Sequence, residues 1–187
     1  FFRYFMAPVD IYFLSESKKH PDFDTINPGH RHWGEGVLHA LNYIKTPYIL
    51  WLQDDYFLIE PFGEAMLEMN LMHCREFGMD HLILDRISKH YTIGDGPHYC
   101  YFDTNFVKMS DDSDYLTSLQ ASIFERQFLL NNIYPHESPW DFEIKGTKRI
   151  RGQGYKIYIH PMEWYLEVVT RGKYNDNYEK ARKILNL

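Results

Sequence analysis

Residues 48–58 read YILWLQDDYFL, and this stretch restricts the chain more than any other. Tyr48, Ile49, Leu50, Trp51 and Leu52 are an unbroken apolar and aromatic run of the kind that builds a buried strand. Gln53, Asp54 and Asp55 follow at once. Two adjacent carboxylates at the carboxyl end of a core strand are costly unless a cation lies against them. In an α/β sheet such ends face the ligand crevice, where a divalent metal would meet them. The plainer alternative is a surface turn whose aspartates cap the next element.

The elements around this stretch alternate. Residues 1–6 read as the end of an amphipathic helix stopped near Pro8, and 9–14 (VDIYFL) as a strand. Trp33, Val37, Leu38, Leu41 and Ile44 recur at helical spacing, and Thr46-Pro47 breaks that helix before the central strand. Pro61 suits the first turn of a helix that runs to about Phe77 and stops at Gly78. Residues 81–84 form a short strand ending in Asp85-Arg86. This order predicts an α/β fold with a mixed, mostly parallel, Rossmann-like sheet flanked by helices. Residues 88–113 suggest a hairpin or other β excursion, 115–121 a strand, and 122–131 a helix. Ser138-Pro139-Trp140-Asp141 carries the cap, proline and acidic residue of a helix start, with the helix reaching Arg151. A strand at 155–159, a polar loop at 170–177 and a last helix complete a single domain over 1–187.

Composition narrows the function. The chain of 187 residues is long enough for one proper core. Its formal charge of −6 gives no electrostatic footprint for nucleic acid. With 15 Tyr and 13 Phe it suits a site with flat, partly polar walls that stack sugars or bases. Cys74 and Cys100 lack metal spacing; they are either a disulfide or, more simply, two free thiols in a reducing compartment. No apolar run approaches the ~20 residues of a transmembrane helix, and no signal peptide is visible. The expected location is cytoplasmic or membrane-peripheral.

The run from Lys45-Thr46-Pro47-Tyr48 into ILWLQDDYF resembles the metal-motif segment of glycosyltransferases with the GT-A fold, whose strand ends in a DxD-type signature. The resemblance implies a nucleotide-diphospho-sugar donor, a glycan acceptor and a Mn²⁺ or Mg²⁺ cofactor. It makes Asp55 the metal ligand and Asp54 the ribose or sugar contact. Gln53 stands where many members have the first Asp. The strand at Val9 would be the second of that fold, which places the first strand before Phe1.

The same resemblance predicts an acceptor-side helix downstream, and Glu137-Ser138-Pro139-Trp140-Asp141-Phe142-Glu143 lies where it should. An inverting member needs a carboxylate there to take the acceptor proton. Asp141 fits a capping box, whereas Glu143 has no such local task, so Glu143 is the preferred base and Asp141 the second candidate. Trp140 is either an acceptor-sugar platform or a core tryptophan. His160, at a strand end, is either a further metal ligand or bonded locally. Arg171 and Lys173 are either a clamp on the leaving diphosphate or residues of a solvated loop. Arg31, just before a helix start, is a candidate phosphate or base contact. Asp85 and Arg86 either touch the donor sugar or pair with each other. Two other classes remain open. A nucleotidyltransferase of related fold would need a Gly-rich basic loop after its first strand, which is absent. A non-catalytic glycan-binding module would not need the Asp54-Asp55 pair.

Overall fold

The computed structural model describes residues 4–87, 89–94, 99–101, 104–170 and 172–186. Along the chain come β1 (Phe5–Met6), β2 (Tyr12–Leu14), β3 (Asp24–Ile26), α1 (Trp33–Tyr43), β4 (Tyr48–Trp51), β5 (Tyr56–Leu58), β6 (Phe62–Gly63), α2 (Glu64–Phe77) and β7 (His81–Ile83). Then follow β8 (Tyr99–Tyr101), β9 (Thr104–Lys108), β10 (Ser122–Glu125), α3 (Arg126–Asn132), α4 (Pro139–Asp141), a π-helical turn (Phe142–Gly146) and α5 (Thr147–Ile150). The chain ends with β11 (Ile157–Ile159), β12 (Tyr165–Glu167), β13 (Val169–Thr170), β14 (Lys173–Tyr174) and α6 (Asp176–Leu185).

The fold is mixed α/β. Its central sheet has the order β4-β10-β7-β11-β9-β8. The expectation of a mostly parallel sheet is corrected: only β7 and β11 pair in parallel there. β10 lies antiparallel to both β4 and β7 and separates them. β9 lies antiparallel to β11, and β8 to β9, within the stretch expected as a β excursion. The apolar pattern marks which residues are strands, but the neighbour of β4 comes from a segment far along the chain.

The sheet divides two cores. Paired residues share a face, so Leu82, Ile123 and Tyr158 point to the side packed by Leu67 and Cys74 of α2. Ile83, Phe124, Ile157 and Ile159 point to the other side, against Val37 and Leu41 of α1, Phe128 and Leu129 of α3, Phe142 and Ile150. Helix α1 matches its expected range, and α2 ends where expected. Gly78 ends α2 at φ +59, the left-handed conformation that glycine adopts without strain. Met79 N closes the cap on the Cys74 carbonyl at 2.8 Å. Cys74 is buried and free.

Three local expectations fail for a common reason, which is tertiary pairing. The N-terminal segment is a strand at Phe5–Met6, parallel to Phe62–Gly63. Phe62 N donates to the Tyr4 carbonyl at 2.7 Å, and the Phe62 ring stacks on Phe5 and Trp164, so the helix begins at Glu64 rather than Pro61. Residues 122–125 form strand β10 before α3 begins.

Residues 115–121 form no strand, yet 116–119 and Ala121 are buried. Buried backbone groups need partners, and here side chains and neighbouring strands supply them. Thr147 Oγ1 accepts from Leu116 N at 2.8 Å, and Glu143 Oε1 accepts from Leu119 N at 2.8 Å. The Leu116 carbonyl accepts from His81 Nδ1 at 2.9 Å, the Leu119 carbonyl from Gln53 Nε2 at 2.9 Å, and the Ala121 carbonyl from Leu84 N at 2.8 Å.

His81 Nδ1 must donate to that carbonyl, so its Nε2 accepts from Ser122 Oγ at 3.0 Å. Burial holds His81 down to about 3 and His160 down to about 4. Unfolded histidine takes its proton near pH 6.5. Between that pH and about 4 the unfolded chain binds more protons, so this contribution is full above pH 6.5 and fades as pH falls. His160→Gln is therefore expected to shrink the loss of stability between pH 7 and pH 5 by about 1–2 kcal/mol in urea unfolding. Equal losses in both proteins would contradict a neutral buried His160.

Candidate functional site

After Trp51 the chain leaves the sheet. Gln53 anchors the exit through its bond to the Leu119 carbonyl. Asp54 and Asp55 form a turn, and β5 then pairs antiparallel with β12, Tyr56 opposite Glu167 and Leu58 opposite Tyr165. The rings of Tyr56 and Tyr165 lie 4.4 Å apart. Both hydroxyls donate to Gln120 Oε1, each at 2.9 Å.

Beside this pair is a cavity of about 450 Å³, a size that suits a small ligand. Its walls come from several parts of the chain. Asp85 and Arg86 follow β7, and Ser118 and Gln120 belong to the irregular segment. Trp140 and Glu143 come from the helical turn, and Tyr165 and Glu167 from β12, with Asn177 and Lys180 of α6 at one side.

Carboxylates dominate the electrostatics. Burial, then the charges of Asp55, Glu167, Asp85 and Glu143, push the Tyr56 phenol far above its usual value. Burial also raises Asp85, against the Arg86 amide and the Tyr165 hydroxyl, which lower it. Glu143 is raised by burial and by Glu167, partly offset by the Leu119 amide. Asp55 is raised by burial first, then by Glu167, while a backbone bond lowers it and Asp54 raises it further.

Glu143 is aimed by the π-helical turn. Such turns insert an extra residue into a helix and re-aim the side chains on it. Thr147 N reaches both the Glu143 and the Ile144 carbonyls across the turn. Thr117 Oγ1 donates to the Phe142 carbonyl at 2.8 Å and pins the turn. Leu119 N then holds one oxygen of Glu143, Oε1. Sequence patterning gave a continuous helix here, because side-chain spacing does not reveal the extra residue.

Asp141, the second candidate base, is committed elsewhere. Its Oδ2 accepts from Ser138 N at 3.2 Å and Ser138 Oγ at 2.8 Å, which completes the expected capping box. Lys145 Nζ lies 2.7 Å from its other oxygen. Lys145 and Ser138 hold it down at about 2. Trp140 is 72% exposed and is therefore no core residue; it stands at the cavity rim.

The remaining candidates separate. Asp85 and Arg86 line the cavity. Asp54 is exposed on the turn. His160 is buried away from the cavity lining, its Nδ1 2.8 Å from Asn70 Oδ1 and its ring against Phe106. Arg31 is exposed beside Glu16 and Glu35 in a separate depression, and its Nε donates to the Pro28 carbonyl at 2.6 Å. The start of α1 behind it is already capped, with Gly34 N on the Glu137 carbonyl and Glu35 N on the Pro135 carbonyl. Lys173 is exposed on β14, paired with β13, and does not line the cavity. Arg171 lies outside the described residues.

A divalent cation has a partial fit. Among the described residues no three His, Cys, Asp or Glu side chains gather as a metal cage. Asp55 Oδ1, however, is a buried oxygen without a hydrogen-bond partner. Mg²⁺ and Mn²⁺ at diphosphates take only one or two protein carboxylates, the rest being phosphate oxygens and waters. Asp55 offers one such carboxylate, although it does not itself line the cavity, and His160 is buried against Phe106 outside the lining as well.

Sequence reasoning missed Gln120, Tyr165, Glu167 and Lys180. Lys180 lies one position before Ala181, the buried residue of α6, which marks the helix's inner edge. The others sit in short segments with no periodicity to read. The turn that aims Glu143 depends on Gly146, where a Cβ would lie 2.9 Å from Thr117 Oγ1 and 3.3 Å from the Phe142 ring. Gly146→Ala is expected to cost about 1–3 kcal/mol in thermal unfolding, and unchanged stability would contradict this packing. No family model, no curated protein and no solved structure matches the chain, so the chemistry of this cavity alone carries the functional argument.

Proposed function

We propose that the protein is a GT-A-like glycosyltransferase that moves a sugar from a nucleotide-diphospho-sugar to a glycan hydroxyl, by inversion. The observation that carries this reading is Glu143: a cavity-lining carboxylate tethered at one oxygen and raised by burial. A general base must reach the hydroxyl proton and have a pKa near its task.

In this mechanism the acceptor sugar stacks on Trp140, the exposed aromatic at the rim. Its hydroxyl gives its proton to Glu143 Oε2, the oxygen not held by Leu119 N. The hydroxyl oxygen bonds to the anomeric carbon as the bond from that carbon to the diphosphate oxygen breaks in line. Asp85 orients the donor sugar. Arg86 and Lys180, the cations of the lining, face the charge that develops on the leaving diphosphate. Asp55 would hold Mn²⁺ or Mg²⁺, which when bound neutralises the diphosphate. Asp54, Arg31, Lys173 and His160 have no role in it.

The test uses thermal shift with UDP-, GDP- and dTDP-sugars, with and without Mn²⁺, followed by transfer assays. Stabilisation by at least one nucleotide sugar that requires Mn²⁺ and is lost in Asp55→Ala is expected. Glu143→Gln should keep that binding and lower turnover by about 10²-fold or more, the usual weight of a general base. Full transfer by either variant would overturn the reading. No response to any nucleotide would favour a glycan-binding module, for which the exposed Trp140 is the supporting feature.

A further inference from the structure

We infer that Thr117 is a positioning residue for Glu143: its buried hydroxyl fixes the π-helical turn from which that carboxylate reaches the cavity. The inference deepens the glycosyltransferase reading, and its catalytic meaning rests on that reading.

The direction of each hydrogen bond follows from what its partners can do. Backbone carbonyls only accept, and Thr117 Oγ1 lies 2.8 Å from the Phe142 carbonyl and 3.2 Å from that of Glu143. The one Thr117 hydroxyl proton is therefore committed to the backbone of the turn. Thr147 Oγ1 receives the amides of Leu116, at 2.8 Å, and Thr117, at 3.2 Å. Amides only donate, so these two fill the lone pairs of Thr147 Oγ1, and its own proton goes to Thr117 Oγ1 at 3.2 Å. The chain of donors runs without a break from the amides of the irregular segment, through two hydroxyls, to the Phe142 carbonyl.

The same segment grips the turn a second time. The Leu119 amide donates to Glu143 Oε1 at 2.8 Å. Glu143 is thus held both through its carboxylate and through the backbone beside it. Thr117 and Phe142 are both fully buried, so bulk water cannot take over the bond between them. The approach is close: a Cβ on Gly146 would lie 2.9 Å from Thr117 Oγ1, so glycine at 146 is what leaves the hydroxyl its place. A buried carbonyl that loses its donor is costly and re-pairs along the helix. In a turn that already carries an extra residue, such a shift re-aims the side chains on it. Misplacing a reacting group by about 1 Å costs up to about 10²-fold in rate.

The test follows the Glu143 carboxyl and the Leu119 amide by NMR through a pH titration of the full chain. In the wild type the Leu119 amide should track the titration of Glu143, which burial and Glu167 raise and that amide lowers. Thr117→Val keeps the side-chain shape and removes the hydroxyl. Glu143 is then expected to titrate closer to an ordinary carboxylate, and the Leu119 amide to stop tracking it. Thr117→Ser returns the hydroxyl and should return both signals. A merely structural role would lower the melting temperature of the valine variant and leave both signals as in the wild type, which would overturn the inference. Gly146→Ala pushes on the same hydroxyl from the other side and should reproduce the loss of tracking, so the test stands even where the valine variant does not fold. Wild-type tracking in Gly146→Ala would equally overturn it. In transfer assays Thr117→Val should lower kcat about tenfold or more at unchanged KM, and an unchanged kcat would remove the positioning role. The titration needs no substrate. The expected signals in a protein that transfers no sugar would sink the glycosyltransferase reading and leave the link between Thr117 and Glu143 standing.

Discussion

The site depends on the backbone of one residue, Leu119. Its carbonyl accepts from Gln53 at the end of β4, and its amide donates to Glu143 on the π-helical turn. One peptide segment thereby ties the exit of the central strand to the candidate base. The cost of leaving either group unmade in a buried setting is about 1–3 kcal/mol, which explains why an irregular segment can be as well determined as a strand. Thr147, Thr117 and His81 repeat the arrangement on either side, each bonding backbone that no ladder serves. The segment 115–121 is therefore the frame of the cavity, although it has no secondary structure of its own.

Environment sorts the carboxylates into roles. Asp141 and Glu143 are two residues apart, yet they are pushed in opposite directions. Asp141 is held low by Lys145 and its own helix cap; Glu143 is raised by burial next to another carboxylate. A low group is a fixed charge and a structural element. A raised one is closer to exchanging a proton at neutral pH. Asp85, Glu143 and Asp55 all share the upward direction, with burial the largest cause in each. Asp85, Glu143, Glu163 and Glu167 all line the cavity, so its carboxylates outnumber its arginine and lysine. Arg86 and Lys180 are set against them, beside neutral donors such as Ser118 and Asn177.

The two sides of the cavity rest on unequal foundations. Asp85 and the 115–121 segment stand on the central sheet, whose flanking cores bury most of the large apolar side chains. Glu167 and Lys180 stand on the β5–β12 ribbon and α6, which share a small cluster of Leu166, Val168 and Ala181. Local opening costs least where little apolar surface is buried. The α6 side is thus the wall that opens at least cost, whereas Tyr56 and Leu58 anchor the ribbon itself in the second core.

How much of this was legible follows from the kind of information each part carries. Helices α1 and α2, the β4 and β7 strands and the capping box at Ser138 were readable, because spacing and local chemistry determine them. Glu143 could be picked out by contrast with Asp141, whose position matched a local pattern that Glu143 did not need. The antiparallel insertion of β10, the strand at Phe5 and the π-helical turn were not readable, since each depends on a partner distant in sequence. Gln53 is the instructive case. In the sequence it reads only as a polar residue ahead of the Asp54-Asp55 pair. In the fold its amide donates to the Leu119 carbonyl and ties the exit of β4 to the irregular segment. An aspartate at that position would carry no donor for the carbonyl and would add a further negative charge beside Asp54 and Asp55.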